Sequence, residues 1–378
     1  MNIHWPSGLD TQTFLDEYWQ KKPLLIKNAL PGFETPVSPN ELAGMSLEEG
    51  TAPRIITLDA DGQYQLEHGP FEANRYDSIG DKDWSLLVSD CEKHWPELSE
   101  WIEPFRFLPR WRMDDLMISF APDKASVGAH IDEYDVFLLQ ASGQRQWQID
   151  ASGDPDLTLV EDSTLRLLAN FQPTDSWELS PGDVLYLPPG VPHHGVAVGK
   201  DCTTWSIGFR APSNLDVLDV FSEILLDNLP LVRFTDPPLR ANNGAEIHPE
   251  AIERLRKLWE ETTEISDDEL VRLSGFLLTR GGVTLDDSTD ESACWKGELL
   301  RWHSFAQIAY TLIGDNAELY VNGESYKCSS AFAKIADNSG LIDFSKSGHG
   351  NSLNKTDQDT LDKLIKSGAL IDADEIDQ

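Results

Sequence analysis

The sequence predicts an α+β protein: an antiparallel β sandwich or barrel through its middle, a helical stretch after it, and a small mixed module at the end. Three observations carry this. Between about Arg106 and Arg210, short apolar runs ("DLMISFA", "YDVFLLQ", "RQWQI", "DVLYLPPG", "TTWSIGF") alternate with Gly, Pro and Asp turns, the texture of many antiparallel strands. After "FRAPS" the apolar period lengthens to that of helices. The 378 residues are 40% hydrophobic, with 12 Trp and 15 Phe, ample for a large core and for two or three domains.

Taken in order, "LDTQTFLDEYWQKKPLLIKNALPGF" (Leu9–Phe33) reads as a helix followed by a short strand after Pro23. "SPNELAGM" carries a capping box, with Ser38 as N-cap, Pro39 at the first helical position and Glu41 at the third. In the β region, Ser142-Gly143 reads as a turn between two strands, and Pro181-Gly182-Asp183 as another. Leu215, Leu218, Phe221, Leu225 and Leu229 recur at helical spacing before Pro230. "HPEAIERLRKLWEE" and "SDDELVRLSGFLL" give two more amphipathic helices, the second with a Ser266–Glu269 capping box, and "FTDPPLRANNGAE" is the loop between helical stretches. From about Ser292 the chain mixes helices with a hairpin, its turns marked by Gly314-Asp315-Asn316 and Asn322-Gly323.

No apolar stretch approaches the roughly 20 residues a membrane span needs. The first residues lack the basic flank and apolar core of a signal peptide. Four scattered cysteines (Cys91, Cys202, Cys294, Cys328) form no C-x-x-C pair and suit a reducing compartment, so a cytoplasmic location is expected. The net charge of −35 disfavours nucleic acid and anionic membranes and favours cationic partners, although charge of this kind also serves solubility alone.

Chemistry concentrates in "HIDEYDVFLLQASGQRQW". On a strand, residues two apart share a face, so His130 and Asp132 are expected to converge on one point inside a barrel. Two histidines and one carboxylate on one face of a metal form the triad of non-haem Fe(II) oxygenases, with open positions for co-substrate and dioxygen. A lone H-x-D is weak, and the second histidine must come from a later strand. "SPGDVLYLPPGVPHHG" offers His193 and His194, rigidly framed by prolines and glycine. Arg145 alternates with Trp147 and Ile149 on an apolar face. A cation there is costly unless it meets an anion, and a bidentate carboxylate is the natural partner. The co-substrate of this iron class, 2-oxoglutarate, is a dicarboxylate.

With these motifs, together with "YWQKKPLLIK", "HGPFE", "DWSLLV", "WRMDDLMISFA" and "SIGFRAP", the chain resembles the JmjC-type ribosomal oxygenases. Within them it is most similar to the bacterial enzymes that hydroxylate an arginine of a large-subunit ribosomal protein. The resemblance is strongest before Pro212. It implies a double-stranded β-helix (jelly-roll, cupin-like) catalytic domain with N-terminal helices over residues 1–212. A helical homodimerisation region over 213–290 and a winged-helix-like domain over 291–378 follow. It implies Fe(II) held by His130, Asp132 and the histidine of P-P-G-x-P-H, which is His193. It further implies that Arg145 binds the far carboxylate of 2-oxoglutarate with help from Ser119. An arginine substrate calls for an acidic pocket wall, for which Asp114 and Asp115 are candidates; their plainer role is to turn or cap the chain. A basic ribosomal protein suits the charge. From residue 291 to 378 there are 8 basic against 14 acidic residues, a net of −6, so direct DNA binding is not expected. The alternatives are the same chemistry on a histidine or an N-methyl group of another protein, or a non-catalytic cupin-like binding module.

Overall fold

A computed structural model describes residues 2–228, 230–238, 245–280, 299–338, 340–344 and 353–373, together with 295 and 297. The positions of Leu229 and Cys294, and part of the "FTDPPLRANNGAE" loop, lie outside the described residues. The chain divides into two compact units, residues 1–211 and 212–376.

The first unit runs α1 (Thr11–Glu17), β1 (Leu24–Ile26), α2 (Pro39–Met45), β2 (Arg54–Leu58), β3 (Tyr64–His68), α3 (Asn74–Ser78) and β4 (Trp84–Val88). Then come α4 (Cys91–His94), α5 (Ser99–Ile102), β5 (Met113–Ala121), β6 (Asp135–Ile149), β7 (Asp175–Leu179), β8 (Val184–Leu187) and β9 (His193–Phe209). The capping box at Ser38 and Glu41 forms at the start of α2. The strands join antiparallel in the order β1-β8-β6-β9-β5-β4-β2-β3, with β7 also on β6. The texture of many short strands resolves into two long ones, β6 and β9, paired along nearly their whole length. Ser142-Gly143 does not end a strand. The register shifts there, with Gly143 at φ 61°, so the pair makes a bulge inside β6 and not a turn. The local sequence is the same for both; the cross-strand partners on β9 decide.

One face of this sheet packs on the N-terminal helices. Phe14, Phe137, Tyr186 and Trp205 are fully buried there, with Phe14 edge-on to Tyr186 at 4.9 Å. A polar knot lies within the packing. Asp135, at the start of β6 and 0% exposed, accepts hydrogen bonds from Tyr186 Oη (2.6 Å), Gln20 Nε2 (3.1 Å) and Arg112 Nη2 (2.9 Å). Arg112 in turn donates to the Arg210 carbonyl at 2.7 Å. This knot ties α1, β6, β8 and the end of β9 together around the start of the strand that leads from the site. Removing one partner of a buried ion pair strands the other. Asp135→Ala is therefore expected to lower unfolding stability by ~3–5 kcal/mol, measured by urea denaturation; a loss below about 1 kcal/mol would contradict the buried-pair account.

The second unit contains α6 (Asn214–Asn228), α7 (Pro249–Thr263), α8 (Asp267–Thr279), β10 (Leu300–Trp302), β11 (Ile308–Ile313), β12 (Asn316–Val321), β13 (Glu324–Ser329), α9 (Ser330–Ala336), α10 (Lys355–Lys366) and β14 (Leu370–Asp372). β11, β12 and β13 form a three-stranded meander, one strand more than the expected hairpin, because both turn signals close two-residue connections. Ser266 and Glu269 form the second capping box, at the start of α8. Among the described residues, no helix is long and apolar enough to cross a membrane.

Candidate active site

The segment before β6 brings the first two candidates into place. His130 and Asp132 do not lie on the strand itself, as the H-x-D spacing suggested; β6 begins at Asp135. They sit in an extended segment pinned by an isolated antiparallel bridge between His130 and His193. Its two backbone hydrogen bonds measure 3.0 and 2.9 Å. The bridge delivers what strand alternation would have delivered, because it sets His130 directly across from the first residue of β9.

The imidazole rings of His130 and His193 stand 4.2 Å apart. Asp132 reaches both: its carboxylate oxygens lie 4.0 Å from His130 Nε2 and 3.6 Å from His193 Nε2. One ligand atom from each of the three residues falls within 4.8 Å of the others. Each histidine has Nδ1 against a backbone carbonyl, Gly128 at 3.0 Å and Val191 at 2.9 Å. A carbonyl only accepts, so Nδ1 carries the proton and Nε2 keeps its lone pair, aimed at the common point. That is how a metal-binding imidazole is oriented by its outer partner. Burial, reinforced by neighbouring His130, pushes the His193 imidazole down to about 4, so no proton competes for Nε2 near neutral pH. The donor set of two imidazoles and one carboxylate fits a 2-His-1-carboxylate iron centre.

His194 takes the other side of β9. It pairs in register with Gln148, and its ring meets Phe171 edge-on at 6.1 Å. Alternation along the strand separates the two neighbours.

His130, Asp132, His193, Arg145 and Ser119 line one cavity of about 220 Å³. Arg145 is 3% exposed, and its Nε and Nη2 have no hydrogen-bond partner among the described residues; Trp147 flanks the guanidinium at 5.7 Å. A buried, unpaired guanidinium is costly in isolation, and it fits a dicarboxylate whose other end reaches the metal. Ser119 is buried and donates to the Thr204 carbonyl at 3.2 Å.

Asp114 and Asp115 line an adjoining cavity of about 370 Å³, with Arg54 common to both cavities. The two aspartates differ. Asp114 is neutralised by Arg210 Nε at 3.1 Å. Asp115 has no such ion pair among the described residues, and burial pushes its carboxyl up to about 6. Sequence reasoning missed Met117, Thr204, Ser206, Tyr134 and Arg54, which also line the first cavity. Four of these had a legible signal: Met117 lies two residues from Ser119 on β5, Thr204 and Ser206 are two apart on β9, and Tyr134 lies two residues past Asp132, so extending the alternation would have named them. Nothing local marked Arg54.

A sheet of this topology with such a triad suits a non-haem iron oxygenase, and residues 100–217 match the family model described as "JmjC domain". The chain belongs to the JmjC-type ribosomal oxygenases. It is 38% identical over 342 residues to the ribosomal protein uL16 3-hydroxylase of Escherichia coli, covering 86% of each chain. It is 33% identical to a probable ribosomal oxygenase of Haemophilus influenzae, over 64% of this chain and 60% of that one. The solved structure of E. coli YcfD matches with a TM-score of 0.81 and 30% identity, over 98% of this chain and 100% of the other. The structure of the YcfD ribosomal oxygenase with cobalt and 2-oxoglutarate matches with a TM-score of 0.79 and 31% identity, over 98% and 99%.

Proposed function

We propose that the protein hydroxylates an arginine side chain of a large-subunit ribosomal protein, using Fe(II) and 2-oxoglutarate. The observation that carries this reading is the buried, unpartnered Arg145 in the same cavity as the His130, Asp132 and His193 cluster. A metal site alone would suit many chemistries; a metal site with a carboxylate clamp at the far end suits a bound 2-oxo dicarboxylate. Relatives named for ribosomal-protein hydroxylation support the substrate class.

His130, Asp132 and His193 hold Fe(II). When bound, the iron and 2-oxoglutarate supply the dioxygen-dependent oxidising power that installs a hydroxyl on an unactivated carbon. The residues supply placement. Arg145 fixes the far carboxylate, and Ser119 can turn its hydroxyl hydrogen from the Thr204 carbonyl to the same group. Met117, Trp147 and Leu167 wall the cavity and limit water. Asp115 receives the substrate guanidinium in the adjoining cavity, which fits its lack of an ion pair among the described residues; Asp114, already paired with Arg210, does not serve. The guanidinium then restores to Asp115 the charge that burial disfavours.

The wider readings follow the same support. A homodimer forms through the helices of region 213–290, where Leu215, Leu218, Ile252, Leu255 and Trp259 are half or more exposed on a single chain and call for cover. Region 291–378 is a winged-helix-like module with an acidic balance. The protein works in the cytoplasm, where ribosomal proteins are made.

Mass spectrometry of ribosomal proteins from cells with and without the protein tests the reading. One added oxygen on an arginine, present only with the protein, is expected; an oxygen on histidine, or loss of a methyl group, would overturn the choice of substrate. Charge gives a further prediction. Affinity for a basic ribosomal-protein fragment should fall as salt rises, because exposed charges are screened over about 8–10 Å near physiological ionic strength. Salt-independent binding, read by titration calorimetry, would leave the net charge of −35 without a role in recognition.

A further inference from the structure

The two aspartates at the start of β5 sit at an irregularity in the ladder. Met113 pairs with Phe209 and Leu116 with Ile207. Asp114 and Asp115 therefore stand together opposite the single residue Gly208. This is a β-bulge, a device that bends a strand and re-aims a side chain. Beyond it, Met117 and Ser119 alternate into the cavity, while Leu116 and Ile118 belong to the opposite, core face. Asp115, within the bulge, shares the sequence parity of Met117 and Ser119 and lines the adjoining cavity, which has Arg54 in common with theirs.

Two features hold this bulge. The first is Gly208. A Cβ there would lie 3.1 Å from Asp115 Oδ1 and 3.7 Å from the Tyr134 ring, so the missing side chain leaves the space in which the Asp115 carboxylate stands. The second is Glu92 on α4. Strand β4 ends at Val88, opposite Ile118, and the backbone N–H of Leu116 lies beyond its reach. Glu92 Oε2 accepts that N–H at 2.8 Å. The side chain is 8% exposed. Burying a carboxylic acid carries a desolvation cost that its hydrogen bond to this N–H, beside the bulge, helps to offset.

We propose that Glu92 and Gly208 are positioning residues for substrate: they hold the β5 bulge so that the Asp115 carboxylate faces the incoming guanidinium. This rests on the arginine reading above. Burial pushes Glu92 up to about 8, so near neutral pH it acts as a neutral acceptor. Glutamine offers the same acceptor in the same shape, whereas leucine fills the space and accepts nothing.

The test uses the full-length protein with Fe(II), 2-oxoglutarate and a basic peptide containing the target arginine. Wild type, Glu92→Leu, Glu92→Gln and Gly208→Ala are compared for the peptide KM, the co-substrate KM and the thermal midpoint. Glu92→Leu and Gly208→Ala should raise the peptide KM about tenfold, the scale of one weakened charge-assisted hydrogen bond. The co-substrate KM should stay within about twofold, because Arg145 is untouched. Glu92→Gln should restore the peptide KM. Peptide KM values equal to wild type in both Glu92→Leu and Gly208→Ala would overturn the positioning role, as would a Glu92→Gln variant as poor as Glu92→Leu. If Glu92→Leu fails to fold, Gly208→Ala decides, since its added methyl meets the movable end of a side chain. A wild-type protein that turns over 2-oxoglutarate yet leaves arginine unmodified would overturn the arginine reading itself, and with it this role; variants matching an active wild type would overturn this role alone.

Discussion

His193→Ala is expected to abolish hydroxylation, while His194→Ala keeps most of it. The two neighbours are chemically identical, and only geometry separates them. His193 presents Nε2 to Asp132 at 3.6 Å, and its ring stands 4.2 Å from that of His130. The His194 ring packs against Phe171. Losing His193 removes one of three metal ligands. Partners that merely orient a ligand are worth about 10- to 100-fold in metal affinity or activity, so loss of the ligand itself should exceed that. His130→Ala and Asp132→Ala should behave alike. Iron content by elemental analysis, measured beside product formation and a thermal melt, separates metal loss from unfolding. Retained activity in His193→Ala with loss in His194→Ala would mean that β9 is shifted by one residue.

Arg145→Ala should raise the requirement for 2-oxoglutarate by about tenfold to hundredfold, the size of a lost charge-assisted bond to a buried carboxylate. Arg145→Lys should recover only part, because an ammonium is a point charge without the planar fork. A second signature follows from burial. The Arg145 guanidinium is 3% exposed, and burying a charge carries a cost that an apolar side chain of similar size does not. Arg145→Met should therefore leave the ligand-free protein as stable as wild type or more so. It should also lose the rise in thermal midpoint that 2-oxoglutarate gives wild type by mass action. An unchanged dependence on 2-oxoglutarate would move the clamp to another residue, and Arg54 would be the next cation of the cavity to test.

The site was legible where chemistry and period coincide. Alternation in "RQWQI" placed Arg145 on the buried face of β6, which its 3% exposure matches. Framing by Pro and Gly singled out the His193 segment. What stayed hidden was register. The same Ser142-Gly143 pair serves a turn or a bulge, and the long pairing of β6 with β9 makes it a bulge. His130 and Asp132 owe their convergence to a bridge with His193 that lies more than sixty positions away in sequence, not to a strand of their own. Asp114 and Asp115 looked equivalent because the extra residue opposite Gly208 exists only in the pairing. β2 and β3 escape a reading by periodicity. β2 buries the adjacent Ile55 and Ile56, which breaks alternation, and β3 buries no residue fully, yet β2 supplies Arg54 to the cavity.

The most direct measurement of the central claim is the fate of heavy-isotope dioxygen. The purified protein, loaded with Fe(II) and 2-oxoglutarate, is given a basic ribosomal-protein fragment under labelled oxygen, and the fragment is sequenced by mass spectrometry. One labelled oxygen on an arginine side chain, formed with a matching amount of succinate and absent from His193→Ala and Arg145→Ala, is the expected result. Label on another side chain, or an arginine left unmodified while succinate accumulates, would contradict it.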